Sequence, residues 1–287
     1  MGDGTALVPH QGRQVSQVAE MVAPMSDISK VTKRLVAVSG KGGTGKTAFT
    51  AMMTRALMES GQAGKLLLID ADPALGLPNA LGVKVKRTMG QVREDIIKTA
   101  RSGDQSEKLQ IADRLDYMTM EALLETDGYA LIAMGRTETL GCFCPVNDLL
   151  RGAIETLSKS FDTIVIDGEA GVEQINRQVV RRVDILIIVS DATARGLQTA
   201  ALIRKMVIED KVIDCGKLGI VFNRVTGNRP LLEQAAQKIG LEILGFIPQD
   251  ENIAYHDLVG QPILGLPSDS PGLVSVCDIV RRHILSR

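Results

Sequence analysis

Only four cysteines occur in 287 residues, and that scarcity excludes one broad class. Cys142, Cys144, Cys215 and Cys277 are too few and too unevenly spaced for the disulfide framework of a small secreted domain, so a reducing compartment is expected. Long apolar runs are missing as well. The longest, LLLI at 66–69 and ILIIV at 185–189, fall far short of the roughly 20 residues that cross a bilayer. The chain does not open with a basic segment followed by an apolar run, and its start, MGDGTA, has Ala6 where a myristoylation signal needs Ser or Thr. Neither sign of charge dominates: 33 Lys and Arg face 34 Asp and Glu, a net charge of -1 with no general attraction for nucleic acid or anionic lipid. The three histidines, His10, His256 and His283, lie far apart without ligand spacing. These absences predict a cytoplasmic protein with no nucleic-acid or membrane partner, whose ligands must be read from local sites.

Alternation of strand and helix signals is what the sequence does contain. Strand candidates are KRLVAVS (33–39), KLLLIDA (65–71), YALIAMG (129–135), DTIVID (162–167), DILIIVS (184–190), KLGIVFN (217–223) and LEILGFI (241–247). Most are continuous apolar runs, the pattern of parallel strands covered on both faces. Between them Met89, Val92, Ile96 and Ala100 keep helical spacing, and Leu197, Ala201 and Met206 do so approximately. The fold class expected is therefore α/β: a doubly wound, mostly parallel sheet with helices on both faces and ligands at the carboxyl ends of the strands. Residues 1–32, rich in Gln, Ser, Gly and Met, read as an extension preceding a single domain over 33–287. The terminal pattern SVCDIVRRHIL reads as a last helix packed on the sheet, because it lacks an aromatic anchor and carries few basic residues.

The first strand runs into SGKGGTGKTAFTAMM, where Gly40, Gly45, Lys46 and Thr47 match G-x-x-x-x-G-K-[ST] between a strand and a helix. Glycines allow backbone N–H groups to turn inward around phosphate oxygens, Lys46 neutralises charge, and the Thr47 hydroxyl can ligate Mg2+. The nucleotide-binding set read from this loop is Gly40, Lys41, Gly42, Gly43, Thr44, Gly45, Lys46, Thr47 and Ala48. Asp70 and Asp72 close the strand at 65–71 in DADP, and Asp167 closes DTIVID. A carboxylate within reach of a phosphate-bound water is what hydrolysis requires, and one beside the loop can hold Mg2+ through water.

The loop GKGGTGKT, with its extra Lys41, resembles that of the nitrogenase iron protein and the septum-site and chromosome-partition ATPases. In that superfamily the first lysine reaches the nucleotide of a second subunit. The resemblance therefore implies a homodimer in which Lys41 acts in trans and, with Lys46 and Asp72, forms the catalytic set. It also implies that Asp72 orients or deprotonates the attacking water, that Asp70 and Asp167 support Mg2+ with Thr47, and that Asn223 and Pro248 border the adenine.

Cys142 and Cys144 lie one residue apart before the predicted helix PVNDLLRGAIETL, with Pro145 in its first turn and Cys144 where the helix dipole favours a thiolate. Two thiols cannot complete a tetrahedral shell, but two chains related by a two-fold axis supply four, enough for Zn2+, Ni2+ or an iron–sulfur cluster. GKGGTGKT, DADP, GCFCPVN and IVIDGEAGVEQINR together resemble the CooC-type nickel-insertion ATPases, the carbon monoxide dehydrogenase maturation family. That resemblance implies a Mg2+-dependent ATPase that binds Ni2+ or Zn2+ at the dimer interface and serves a client such as carbon monoxide dehydrogenase or acetyl-CoA synthase. Two alternatives stand beside it. One is an iron–sulfur ATPase for electron transfer or reductive activation, although in the nitrogenase iron protein the cluster ligands lie far apart in sequence. The other is a partitioning switch on a membrane or DNA. Cys215 and Cys277 read as structural.

Overall fold

A computed structural model describes residues 33–101, 105–136, 144–169, 171–172, 175 and 179–286. The extension expected over 1–32 lies outside them, as does Cys142.

The described residues form one eight-stranded sheet in the order β3-β4-β2-β5-β1-β6-β7-β8. Its strands are β1 (Arg34–Ser39), β2 (Leu66–Asp70), β3 (Leu124–Glu125), β4 (Ala130–Ala133), β5 (Thr163–Asp167), β6 (Arg182–Ser190), β7 (Asp214–Val225) and β8 (Glu242–Pro248). All neighbours pair in parallel except β3 with β4. The expected doubly wound α/β architecture is thus present, and each of the seven strand candidates is a strand. β7 begins before the predicted 217, because its pairing with β6 continues back through Arg182↔Asp214 and Val183↔Cys215; Cys215 is therefore inside the strand. The short antiparallel β3 was not anticipated.

The continuous apolar runs have a simple cause. Successive side chains in a strand point to opposite faces, and both faces of this sheet are covered. Ala37, Leu67, Ile69, Ile164, Ile166 and Leu186 contribute to one core cluster. Val36, Val38, Leu66, Leu68, Val165 and Ile187 contribute to the other. The first cluster draws on α3 (Met89–Arg101), α4 (Gln105–Ala122), α5 (Cys144–Ser158), α6 (Ala194–Ile208) and α7 (Arg229–Ile239). The second draws on α1 (Lys46–Ser60), α2 (Gly76–Leu81) and α9 (Pro271–Val280), with α8 (Glu251–Val259) leading into a 3-10 turn at Ile263–Gly265. The final helical pattern does pack on the sheet, through Val276, Ile279 and Val280 of α9. In α6 the buried stripe is Gly196, Ala200, Ile203 and Val207, not the stripe centred on Ala201 that the spacing suggested. Leu197 and Met206 flank it, half-buried.

Register matters more than inventory here. β1 lies between β5 and β6 with strand order reversing around it, so the crevice at its carboxyl end is where such sheets bind ligands. At that end Asp167 is in register with Val38 on one side and with Asp70 on the other.

Candidate functional site: a phosphate-loop cleft

The cleft is built from the turn between β1 and α1. Gly40, Gly43 and Gly45 take φ of 145°, 78° and 87°, values that a side chain would strain. At Gly40 a Cβ would strike the Val189 carbonyl oxygen of β6, and at Gly45 it would strike the Asn223 amide. Two of the motif's glycines are thus demanded by sterics as well as by dihedral. The Thr44 hydroxyl donates to the Lys41 carbonyl at 2.9 Å, and Lys46 Nζ donates to the same oxygen at 3.2 Å. α1 then starts at Lys46, directing its first N–H groups toward the space where a phosphate would sit.

This space is an open cleft of about 1040 Å³, at the upper end of small-molecule pockets. Gly42, Gly43, Gly45, Lys46, Thr47 and Ala48 line it together with Asp72, Asn223 and Pro248. Asn223 is buried: its amide donates to the Thr44 carbonyl at 2.8 Å and its oxygen accepts from the Arg224 N–H at 2.9 Å. Pro248 ends β8, and the next residue but one, Asp250, caps α8 by accepting from Asn252 N–H at 2.9 Å.

The carboxylates divide into distinct roles. Asp70 is fully buried, and both its oxygens are engaged, accepting from the N–H of Asp72 at 3.0 Å and of Leu77 at 3.1 Å. It therefore shapes the segment 70–77 and positions Asp72 in the cleft. Asp167 is also buried. Its Oδ1 accepts from the Thr50 hydroxyl at 3.0 Å, whereas Oδ2 has no hydrogen-bonding partner among the described residues. A buried, unpartnered carboxylate oxygen close to the Thr47 hydroxyl fits a hard cation, so Thr47 and Asp167 suit Mg2+. Burial pushes the Asp167 carboxyl up to about 6, opposed by the Thr47 and Thr50 hydroxyls and by Lys46. Burial likewise pushes Asp70 up to about 7, and the neighbouring Asp167 charge adds to the rise. Lys46 is lowered, mainly by burial, with Asp167, Asp72 and Glu169 opposing.

Residues 35–263 match the nucleotide binding domain of CobQ, CobB, MinD and ParA. The chain belongs to that family. This MinD/ParA-type chain is 38% identical over 251 residues to an uncharacterized ATP-binding protein of Methanocaldococcus jannaschii, covering 87% of this chain and 98% of the relative. It is 32% identical over 242 residues to the carbon monoxide dehydrogenase accessory protein CooC of Rhodospirillum rubrum, covering 78% of this chain and 87% of that one. In fold it is similar to the cell division ATPase MinD of Pyrococcus furiosus, with a TM-score of 0.63 at 23% identity, covering 87% and 98%.

Three further groups border the loop or its cleft. Asp191, just past the end of β6, pairs with Lys41 at 3.4 Å. Its carboxyl lies below the ordinary value: burial raises it, but the Thr193 hydroxyl and Lys41 outweigh that. As an acid closing an apolar strand, Asp191 carries the same signal that revealed Asp167. Arg224 adopts a left-handed φ of 56° and its guanidinium donates to the Gly43 carbonyl at 3.3 Å. Glu169 lines the cleft. The remaining expected feature, the metal-binding pair, is not gathered by the described residues: Cys142 is outside them, while Cys144 is the first residue of α5, as its helix signal predicted. Among the described residues no cluster of three or more His, Cys, Asp or Glu is arranged around a metal position, and no helix is long and apolar enough to cross a membrane.

Proposed function

We propose that this chain is a dimeric, Mg2+-dependent ATPase that carries Ni2+ or Zn2+ on Cys142 and Cys144 and assists nickel insertion into carbon monoxide dehydrogenase or a related metalloenzyme. The observation that carries the reading is the union, in one chain with 32% identity to CooC, of a phosphate-loop cleft and a C-x-C segment leading into α5. Lys46 and the loop N–H groups hold the phosphates, while Asn223 and Pro248 border the base. Asp72 orients a water against the terminal phosphorus and accepts its proton as the bond to the bridging oxygen breaks, releasing ADP and phosphate. Thr47 and Asp167 hold Mg2+, which neutralises phosphate charge when bound. Lys41 exchanges its pairing with Asp191 for the nucleotide of the partner chain, and the same approach brings the two cysteine pairs together as four thiolates.

Metal content and oligomeric size test this directly. The protein should take up one Ni2+ or Zn2+ per dimer with ATP, and replacing Cys142 and Cys144 together by Ser should abolish uptake while leaving the circular dichroism unchanged. Unchanged metal content in that variant refutes the cysteine site. Broad visible absorption of anaerobically purified protein would favour an iron–sulfur cluster instead. A second reading, a partitioning switch, is supported by the MinD and ParA members of the family. ATP-dependent co-sedimentation with liposomes or DNA would favour it over metal delivery.

A further inference from the structure

Asp167 has two oxygens in different circumstances, and the difference traces to a residue given no role above. Thr50 lies one turn into α1, is fully buried, and places its hydroxyl 3.0 Å from Asp167 Oδ1 and 3.0 Å from the Lys46 carbonyl. A hydroxyl has one proton to donate, so two acceptors share it. An ordinary buried helical threonine needs only the carbonyl four residues back. Thr54 in the same helix shows that arrangement: it is equally buried and donates to the Thr50 carbonyl at 2.8 Å, with no carboxylate in the pairing. Thr50 adds a bond across to β5 and so ties one Asp167 oxygen to the helix that carries the phosphate loop. The other oxygen is left without a protein partner, in a site where β1, β2 and β5 are held in strict register.

We infer that Thr50 is a positioning residue for the Mg2+ site, its hydroxyl fixing Asp167 through Oδ1 so that Oδ2 is presented to the ion. This rests on the magnesium–nucleotide reading proposed above. Removing a group that orients a metal ligand weakens metal binding by about 10- to 100-fold. Nucleotide held by the loop itself does not depend on Thr50.

The test uses the full chain with ADP as probe, following the thermal shift and calorimetric binding as Mg2+ is titrated. In Thr50→Val, ADP affinity without Mg2+ should match the parent, and the Mg2+ concentration for half-effect should rise by about 10- to 100-fold. Thr50→Ser should return it near the parental value, and Thr54→Val should not move it. Thr50→Ala removes the same hydroxyl without the added methyl and serves if the valine variant does not fold. A parent protein with no Mg2+ response would refute the magnesium–nucleotide reading itself. A responsive parent with unchanged half-effect in Thr50→Val or Thr50→Ala, or an equal rise in Thr54→Val, would overturn the role of Thr50 alone.

Discussion

Replacing Asp167 by Asn should make the protein more stable at mildly alkaline pH and less stable at acid pH when nucleotide and Mg2+ are withheld with EDTA. Burial raises this carboxyl from 3.8 to about 6, so the folded chain holds the proton more tightly than the unfolded chain. Stability therefore falls as pH rises through that window and is flat above it. The full rise corresponds to about 3 kcal/mol. Asparagine does not ionise and escapes this term, but its NH2 group needs an acceptor, and an unmet buried donor costs about 1–3 kcal/mol. The net gain above the window then lies between about zero and about 2 kcal/mol, or up to roughly 8 °C in melting temperature for a domain of this size. Below the window the term vanishes, and the variant should melt below the parent. Thermal unfolding by circular dichroism from about pH 3.5 to about pH 8 reads both limits. Asp70 adds a slope of its own to both proteins, reduced in the variant because the Asp167 charge contributes to its rise. Identical pH slopes for parent and variant would refute the assignment of Asp167 as a carboxylate held against desolvation.

Two other substitutions address the loop. Lys41→Ala should retain nucleotide binding and lose most hydrolysis, measured by phosphate release; normal turnover removes the idea that this lysine acts on the partner's nucleotide. Gly45→Ala meets both a left-handed φ of 87° and the Asn223 amide. It should cost about 1–3 kcal/mol on chemical denaturation and abolish nucleotide binding; a variant as stable as the parent would show that the Asn223 contact yields easily.

Much of this architecture was legible because a parallel sheet covered on both faces leaves little choice of residue: β2 and β5 are buried throughout and read as unbroken apolar runs. The phosphate loop was legible because its glycines answer to dihedrals and contacts that no other residue meets. Other features left weaker traces. β3 is two residues long and paired only at an edge, too short for any periodic signal. α6 buries Gly196 and Ala200, small residues that a search for large apolar side chains passes over. Asp191 carried a readable signal, whereas Thr50 carried none, since its role arises from β5 crossing beside α1 at 117 residues' separation. Arg224 takes a left-handed conformation that nothing in its residue type announces.

The two bonds accepted by Asp70 have a mechanical consequence. They close residues 70–77 into a ring, with Asp72 and the start of α2 fastened to the same carboxylate. The far end of α2 is closely packed as well: a side chain at Gly82, just past it, would collide with Pro262 in the segment that follows α8. Asp72 and the segment that follows α8 are therefore linked through one short helix. A displacement of Asp72 would be felt at Gly82 and Pro262 through that helix.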